Sequence, residues 1–241
     1  MTTAGTPTGA TRSTGPQTLI FDADDTLWEN NVYFDRVIED YLDWVAHPTL
    51  ERAHIRRLLN DIEAANIVTR GYGSRAFLDN LAECFEVLLE RPANEAERGE
   101  IEQLAAALVA HEIVLMPGVV DALDALSRRH RLMLLTKGAS SEQQRKIDAS
   151  GLAHYFTSVH IVPEKDVATY RRLAADHSLD LATAWMIGNS PRSDIAASRS
   201  AGLNAVYIPH PMTWEPEQLE LDASDARVLV LGGFGELLDH F

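Results

Sequence analysis

The chain has 241 residues, of which 46% are hydrophobic and 24% charged, values typical of a folded globular protein with a sizeable core. Its formal net charge of -15 disfavours nucleic acid and anionic membranes as partners, because both attract lysine and arginine. No apolar run approaches the ~20 residues needed to cross a bilayer. The single cysteine, Cys84, excludes an intrachain disulfide and fits a reducing compartment, so we predict a cytoplasmic protein.

Three carboxylates crowd the end of the first apolar segment. Residues 18–30 read TLIFDADDTLWEN, so strand-like residues lead directly into Asp22, Asp24 and Asp25. Like charges this close repel, and burying one of them unpaired is costly. A cation between them would relieve the repulsion; the alternative explanation is an Asx turn ending an ordinary strand. Residues 1–16 are rich in Thr and Gly and lack the apolar core of a secretory signal, which predicts a disordered tail.

Residues 31–115 predict a block of helices. Apolar residues recur there at helical spacing in four stripes, which begin at Phe34, Ile55, Phe77 and Ile101, with no strand pattern between them. Cys84 falls in the third stripe and is predicted to be packed inside. Four consecutive amphipathic helices indicate a bundle inserted after the first strand. Trp28, just before this block, is predicted to anchor the link between the two parts.

Helices alternate with strands beyond Pro117. Strands are predicted in RLMLLTKG, SVHIV, TAWMIG and NAVYIP, and helices in PGVVDALDALSRRH, SSEQQRKIDASG, the segment from Lys165 to His177, and RSDIAASRSAG. One further strand and helix are predicted in RVLVLGGFGELLDHF. Such alternation indicates a parallel sheet. We therefore predict an α/β fold with a Rossmann-like parallel core, residues 17–30 and 116–241, and an inserted all-helical cap, residues 31–115.

Polar residues follow four of the predicted strands. Asp22 and Asp24 follow the first, Thr136 ends the second, Lys165 lies just beyond the third, and residues 188–194, GNSPRSD, follow the fourth. Ligands of open parallel sheets bind at the carboxyl ends of the strands. Taken singly, Thr136 could be an ordinary strand residue and Lys165 a solvated lysine at a helix start, but the chain has only three lysines against eighteen arginines, which makes a lysine at this position less frequent by chance. We expect these segments to converge on one site.

This order of motifs resembles the haloacid dehalogenase-like hydrolase superfamily, most of whose members are phosphatases. The first motif of that family, Asp-x-Asp-x-Thr, matches DADDT from Asp22 to Thr26, the second matches Thr136 in LMLLTKG, and the third matches Lys165 in VPEKD. The fourth, Gly-Asp followed by a later Asp, matches GNSPRSD with Asn189 in place of the first Asp. The resemblance runs from residue 18 to about 210, and the helical block stands where this family carries a cap.

The resemblance implies a site for phosphoryl transfer. Asp22 would attack phosphorus and form an aspartyl phosphate, while Asp24 would protonate the leaving oxygen and later take a proton from water. Thr136 and the backbone amides near Lys137 and Gly138 would bind the phosphoryl oxygens. Lys165 would pair with Asp22 and offset the charge that develops during transfer. The implied cofactor is Mg²⁺, and its expected ligands are Asp22, the carbonyl of Asp24, Asn189 and Asp194.

The expected activity is magnesium-dependent hydrolysis of a small phosphorylated metabolite, with neither nucleic acid nor membrane as a partner. The predicted cap would set specificity by covering the site. Its loop NIVTRGYGSRAF could carry Tyr72, Arg70 or Arg75 towards the substrate, and Arg75 is the candidate that we select. The alternative is that Ser74 only caps a helix and Arg75 is a solvated first-turn residue.

Three other functions are compatible with the same core. Dehalogenases of the superfamily need no metal and do not keep the second Asp of the first motif, so Asp24 argues against a 2-haloacid dehalogenase. A sugar phosphomutase would use the same core residues and stays open. A non-catalytic member of the family is favoured only by Asn189, and the presence of Asp22, Thr136 and Lys165 counts against it.

Overall fold

A parallel sheet places the first strand of the chain at its centre. The computed structural model describes residues 15–110 and 112–241. Its strands are β1 (Thr18–Phe21), β2 (Arg131–Lys137), β3 (Ser158–Val162), β4 (Ala184–Gly188), β5 (Asn204–Tyr207) and β6 (Val228–Val230). They lie in the order β3-β2-β1-β4-β5-β6, and every neighbouring pair is parallel. The predicted α/β fold with a Rossmann-like sheet is confirmed. Residues 1–14 of the predicted tail lie outside the described residues.

Both faces of the sheet are buried, as the apolar run of β1 requires. Leu19 and Phe21 belong to one hydrophobic cluster, whereas Ile20 belongs to a second cluster on the opposite face, because successive strand residues point to opposite sides. The helices that alternate with the strands are α5 (Val119–Ser127), α6 (Ser140–Ser150), α7 (Val167–Asp176), α8 (Ala197–Ala201) and α9 (Leu237–His240). Gly151, with φ of 69°, closes α6 as predicted.

The helix predicted after β4 is divided in two. Pro191–Ala196 forms a π-helical segment, and only Ala197–Ala201 is α-helical. The π segment carries Asp194, which is fully buried. Single π turns of this kind occur often at functional sites, because they shift one side chain out of the regular helical register.

Four helices lie between β1 and α5, as predicted, and are called the helical insertion. They are α1 (Asn31–Val45), α2 (Arg52–Arg70), α3 (Ser74–Leu89) and α4 (Glu95–Ala110). Their apolar faces form a hydrophobic cluster of their own, with Tyr41, Leu59, Leu81 and Cys84 completely buried. Cys84 is therefore packed inside, as predicted. Among the described residues, no helix has both the length and the apolar character needed to cross a membrane.

The two chain segments that link the insertion to the sheet run antiparallel to each other. The amide of Glu29 donates to the carbonyl of Val114 at 2.9 Å, and the amide of Met116 donates to the carbonyl of Leu27 at 2.9 Å. Trp28, between them, is 1% exposed and packs in a cluster with residues of the sheet. This packing agrees with the prediction that Trp28 anchors the link.

Candidate active site

The carboxyl ends of four strands contribute to one cavity of about 470 Å³. Asp22 follows β1, Thr136 lies near the end of β2, and Asn189 follows β4. Lys165 comes from the loop between β3 and α7. All four line the cavity. The structure thus brings together the four segments that the sequence singled out, for the reason expected of a parallel sheet.

Lys165 joins two buried carboxylates. Its Nζ atom lies 2.6 Å from Asp22 Oδ1 and also donates to Asp194 Oδ1, and all three side chains are more than nine-tenths buried. Burial alone would lower the pKa of Lys165, but the attraction of Asp194 and Asp22 raises it above its ordinary value. Burial, and then the charge of Asp22, raises the pKa of Asp194 against the attraction of Lys165.

The oxygen atoms around Lys165 are of the chemical kind that binds divalent cations. Asp22 and Asp194 together carry two negative charges when ionised, against one ammonium group. Thr26 Oγ1 lies 3.1 Å from Asp22 Oδ2 and 3.3 Å from Asn189 Oδ1, so its one proton is shared between these two acceptors and both oxygens lie next to the same hydroxyl. A Cβ atom on Gly188 would overlap the Asp194 carboxylate. Hard oxygen donors with surplus negative charge are the ligands that Mg²⁺ prefers.

Asp24 is held separately by three side chains. Trp28 Nε1 donates to its Oδ1 at 2.8 Å, Gln143 Nε2 donates to its Oδ2 at 3.1 Å, and Lys146 Nζ lies 2.8 Å from the same Oδ2. Gln143 and Lys146 stand three residues apart on α6 and so project from one face of that helix. Burial alone would raise the pKa of Asp24, but Lys146 and the hydrogen bonds lower it. Asp22 and Asp24 are therefore paired with different lysines.

Replacing Lys146 by methionine is expected to destabilise the fold by about 2–3 kcal/mol, because a partly buried carboxylate, 24% exposed, loses its cation. The side chain of Lys146 is 3% exposed and its ammonium also donates to Asn30 Oδ1 at 2.8 Å, so both Asp24 and Asn30 would lose a partner. Urea unfolding would measure the loss. Arg145→Met is the matched control, because that neighbour on α6 is only half-buried. Equal losses in the two variants would contradict this role of Lys146.

The ammonium group of Lys137 is directed to carboxylates. It forms an ion pair with the buried Glu217 and lies 3.5 Å from Glu164. It also lies 4.4 Å from the centroid of the Tyr72 ring, within the range of a cation–π contact. Tyr72 in turn donates to Glu164 at 2.5 Å. The Lys137 side chain therefore connects the end of β2 to the helical insertion.

Thr136 presents its hydroxyl at the cavity. Its Oγ1 atom accepts a hydrogen bond from Gln143 Nε2 at 2.6 Å, and the side chain is almost fully buried. The amide of Gly138 is already committed, since it donates to the carbonyl of Val162 at 3.1 Å. Of the two, Thr136 is better placed to donate to a phosphoryl oxygen, because a hydroxyl that accepts one bond still has its own proton to give.

A second group of possible ligands lies at the start of the insertion. Among the described residues, Asp25, Glu29 and His210 bring one ligand atom each to within 4.8 Å of one another. Asp25 has a positive φ of 58°, and its carboxylate accepts the backbone amides of Asn30 at 2.8 Å and Asn31 at 3.0 Å. Burial raises the pKa of Asp25 to about 7. Asp25 therefore holds the first turn of α1 in place.

Arg75 does not lie at the cavity. Its side chain is 81% exposed and pairs with Asp79 one turn further along α3, and the predicted contact with substrate finds no support in this arrangement. Ser74 is the first residue of α3 and not its cap. Its amide and hydroxyl instead donate to Glu142 at 2.9 and 2.8 Å, which ties α3 to the segment following β2.

A further part of the cavity lining comes from the helical insertion, which the sequence predicted to cover the site, and from residues 211–217, which it did not. Apolar, aromatic and polar side chains are mixed there. The lining residues with no predicted role include Phe34, Glu63, Phe77, Gln143, Lys146 and Trp214. Gln143 and Lys146 carried a usable signal, because they are polar residues on one face of the helix that follows Thr136.

Most of the chain matches a known protein family. The family model described as a haloacid dehalogenase-like hydrolase matches residues 16–202. This range contains β1, the helical insertion and the segments that supply Thr136, Lys165 and Asp194. It therefore covers the whole set of residues gathered around Lys165.

Individual relatives agree with this match. The pyrimidine 5'-nucleotidase YjjG of Escherichia coli (strain K12) is 26% identical over 208 residues, which cover 83% of this chain and 88% of that protein. A phosphoserine phosphatase of Thermus thermophilus is 31% identical over 110 residues, 44% of this chain and 43% of that protein. A crystal structure of a haloacid dehalogenase-like family hydrolase from Xanthomonas campestris superposes with a TM-score of 0.77 and 25% identity, over 92% of each chain.

Proposed function

The chain belongs to the haloacid dehalogenase-like hydrolase family, and on that basis we propose that it is a magnesium-dependent phosphatase of small phosphorylated metabolites. The observation that carries the proposal is the separate pairing of two carboxylates at the end of β1. Asp22 is bound by Lys165 and Asp24 by Lys146. Hydrolysis through a phosphoryl-enzyme needs one carboxylate as nucleophile and a second as acid and base, and these two occupy different environments.

The first half-reaction forms an acyl phosphate, which is a mixed anhydride, between the Asp22 carboxylate and phosphorus. The Asp22 carboxylate attacks while the bond from phosphorus to the leaving oxygen breaks, and that oxygen takes a proton from Asp24. In the second half-reaction Asp24 removes a proton from the water that attacks phosphorus, and the bond from phosphorus to the Asp22 oxygen breaks, which releases inorganic phosphate and restores the Asp22 carboxylate. The lowered pKa of Asp24 favours the ionised form that this second step needs. The first step therefore requires that Asp24 bind a proton together with the substrate.

Charge at the strand ends has to balance the phosphate dianion. When bound, Mg²⁺ supplies positive charge that neutralises the phosphoryl oxygens. We propose that Asp22, Asp194, the side-chain oxygen of Asn189 and the carbonyl of Asp24 hold it. Thr136, a backbone amide near Lys137, and Lys165 are the proposed partners of the phosphoryl oxygens.

A phosphatase fits these residues better than a dehalogenase does. Two relatives, the nucleotidase and the phosphoserine phosphatase, are named for hydrolysis of phosphate monoesters, which supports the same reaction class here. The second Asp of the first motif is present and held by three side chains, whereas dehalogenases of the family lack it. This favours proton transfer at Asp24.

Release of inorganic phosphate tests the proposal. The purified chain with Mg²⁺ should hydrolyse p-nitrophenyl phosphate and members of a panel of phosphorylated metabolites, and excess chelator should lower the rate by about 100-fold or more. Chloroacetate, the dehalogenase control, should release no chloride. Undiminished turnover in excess chelator, or chloride release, would count against a magnesium-dependent phosphatase.

Asp24→Asn should slow the reaction by about 10²–10⁴-fold on alkyl phosphates, because a poor leaving oxygen needs a proton as its bond breaks. An activated ester such as p-nitrophenyl phosphate should lose much less in the step that expels the leaving group. Initial rates on the two esters, compared with those of the parent, measure this difference. Equal losses on both would contradict the acid role of Asp24.

A further inference from the structure

The cavity extends beyond the strand ends to the helical insertion and the segment 211–217. This part of the cavity has room for the leaving group of a substrate. Its far wall brings together aromatic rings from the insertion and from the segment 211–217. Phe34 and Phe77 meet edge to face at 5.1 Å, and Tyr72 and Trp214 do so at 6.0 Å. Tyr72 also contacts Lys137 at the end of β2. This wall therefore stands next to the proposed phosphate site and faces whatever the phosphate is attached to.

The cations that line this cavity already have partners. Within the described residues, each lysine and arginine of the lining is paired with a carboxylate: Lys165 with Asp22 and Asp194, Lys146 with Asp24, Lys137 with Glu217 and Glu164, and Arg56 with Asp35. A leaving group that carries a carboxylate would have to compete with one of these pairs. The far wall thus offers little to a negatively charged leaving group.

Glu63 differs from the paired carboxylates. It lies on α2 with 8% of its surface exposed, and it lines the cavity. Its Oε2 accepts a long hydrogen bond of 3.4 Å from Trp214 Nε1. Burial raises the pKa of Glu63 to about 7, against the weaker effects of the Trp214 hydrogen bond and the charge of Arg56. The Glu63 carboxyl group is buried with one long hydrogen bond, so it can accept a further hydrogen bond from a ligand.

We propose that Glu63 determines specificity for the leaving group, and that the cavity selects phosphate monoesters whose leaving group carries an N–H donor or an amine. An N–H group at Glu63 would donate to this acceptor beside the indole of Trp214, and an aromatic ring also favours a cationic group. A carboxylate at the same place would face Glu63 with no free cation nearby, and unpaired polar groups are strongly rejected by buried sites. This assignment rests on the phosphatase function proposed above.

Three aryl phosphates that differ only at the para position test the assignment: phenyl phosphate, 4-(aminomethyl)phenyl phosphate and 4-carboxyphenyl phosphate. The parent should prefer the amine over the carboxylate by about tenfold or more in kcat/KM. Glu63→Gln should reduce that ratio by about tenfold, with kcat/KM for each ester expressed relative to that for phenyl phosphate in the same protein, because the charged contact is lost. Glu100→Gln is the control, since this exposed glutamate of α4 lies away from the cavity.

The outcomes separate this inference from the function on which it rests. No turnover of any of the three esters would overturn both. A second outcome is that Asp22→Asn abolishes turnover, but the ratio of kcat/KM for the amine ester to that for the carboxylate ester is the same in the parent and in Glu63→Gln. This outcome would overturn the role of Glu63 alone. Should Glu63→Gln fail to fold, the order of the three esters with the parent still decides, because a preference for the carboxylate contradicts the assignment.

Discussion

Asp22→Asn is expected to lower phosphate release by about 10⁴-fold or more on every substrate, because an amide cannot form the acyl phosphate. The parent should accumulate a phosphoryl group on this residue, and acid quenching followed by peptide mass spectrometry would locate it. The site around Asp22 supports this role, since one of its oxygens binds Lys165 at 2.6 Å and the other accepts from Thr26 at 3.1 Å. Both contacts orient the carboxylate towards the cavity that it lines.

The variant should remain folded, which makes the loss interpretable. Asparagine has nearly the size of aspartate, and Lys165 keeps its ion pair with Asp194. Asp35→Asn is the matched control, because Asp35 also lines the cavity but pairs with Arg56 at half-exposed positions. We expect that control to retain most of the activity. A rate above about one hundredth of the parent rate for Asp22→Asn, with both proteins folded, would contradict nucleophilic catalysis by Asp22.

The sheet could be predicted because its local signals agree with its tertiary structure. The apolar run of β1, Thr18–Phe21, reads as a strand buried on both faces, and it is buried on both faces. Gly151 closes α6 by adopting a positive φ, the conformation for which glycine is selected at helix ends. The π-helical segment Pro191–Ala196 could not be read in the same way. In this segment Asp194 contacts Lys165 and the amide of Ser190. The contact with Lys165 is long-range, so the local sequence does not indicate it.

The site residues at strand ends could be predicted from the sequence. Those contributed by helices and loops from distant parts of the chain could not. Asp22 and Lys165 follow strands and Thr136 lies near the end of one, so the topology of the sheet brings them together. Glu63 and Trp214 are 151 positions apart in the chain, and their contact depends on how the insertion packs over the sheet. Local sequence carries no record of such a contact. The specificity side of the cavity is therefore the part that required the structure.

Asp194→Ala is expected to eliminate magnesium binding, because the proposed ligand set would lose one of its two acidic side chains. Asp194 is completely buried, and its Oδ2 accepts the amide of Ser190 at 2.9 Å, so its orientation is fixed before a cation arrives. Asn189 contributes an oxygen without charge. Asn189→Asp should therefore tighten magnesium binding by about tenfold, as each added carboxylate increases attraction for a hard cation. Titration calorimetry of the parent and the two variants measures both effects without any substrate.

The second group of possible ligands allows the same titration to show where magnesium binds as well as how tightly. Glu29→Gln removes a carboxylate from the group of Asp25, Glu29 and His210 and leaves the residues around Lys165 unchanged. If magnesium binds at the strand ends, Glu29→Gln should bind it as the parent does, and Asp194→Asn, a milder change than alanine, should still weaken it severely. The reverse pattern, with normal binding by the Asp194 variants and weak binding by Glu29→Gln, would move the metal to the start of the helical insertion. Asp22 would then attack phosphorus without a metal beside it, and Lys165 alone would have to balance the phosphate charge.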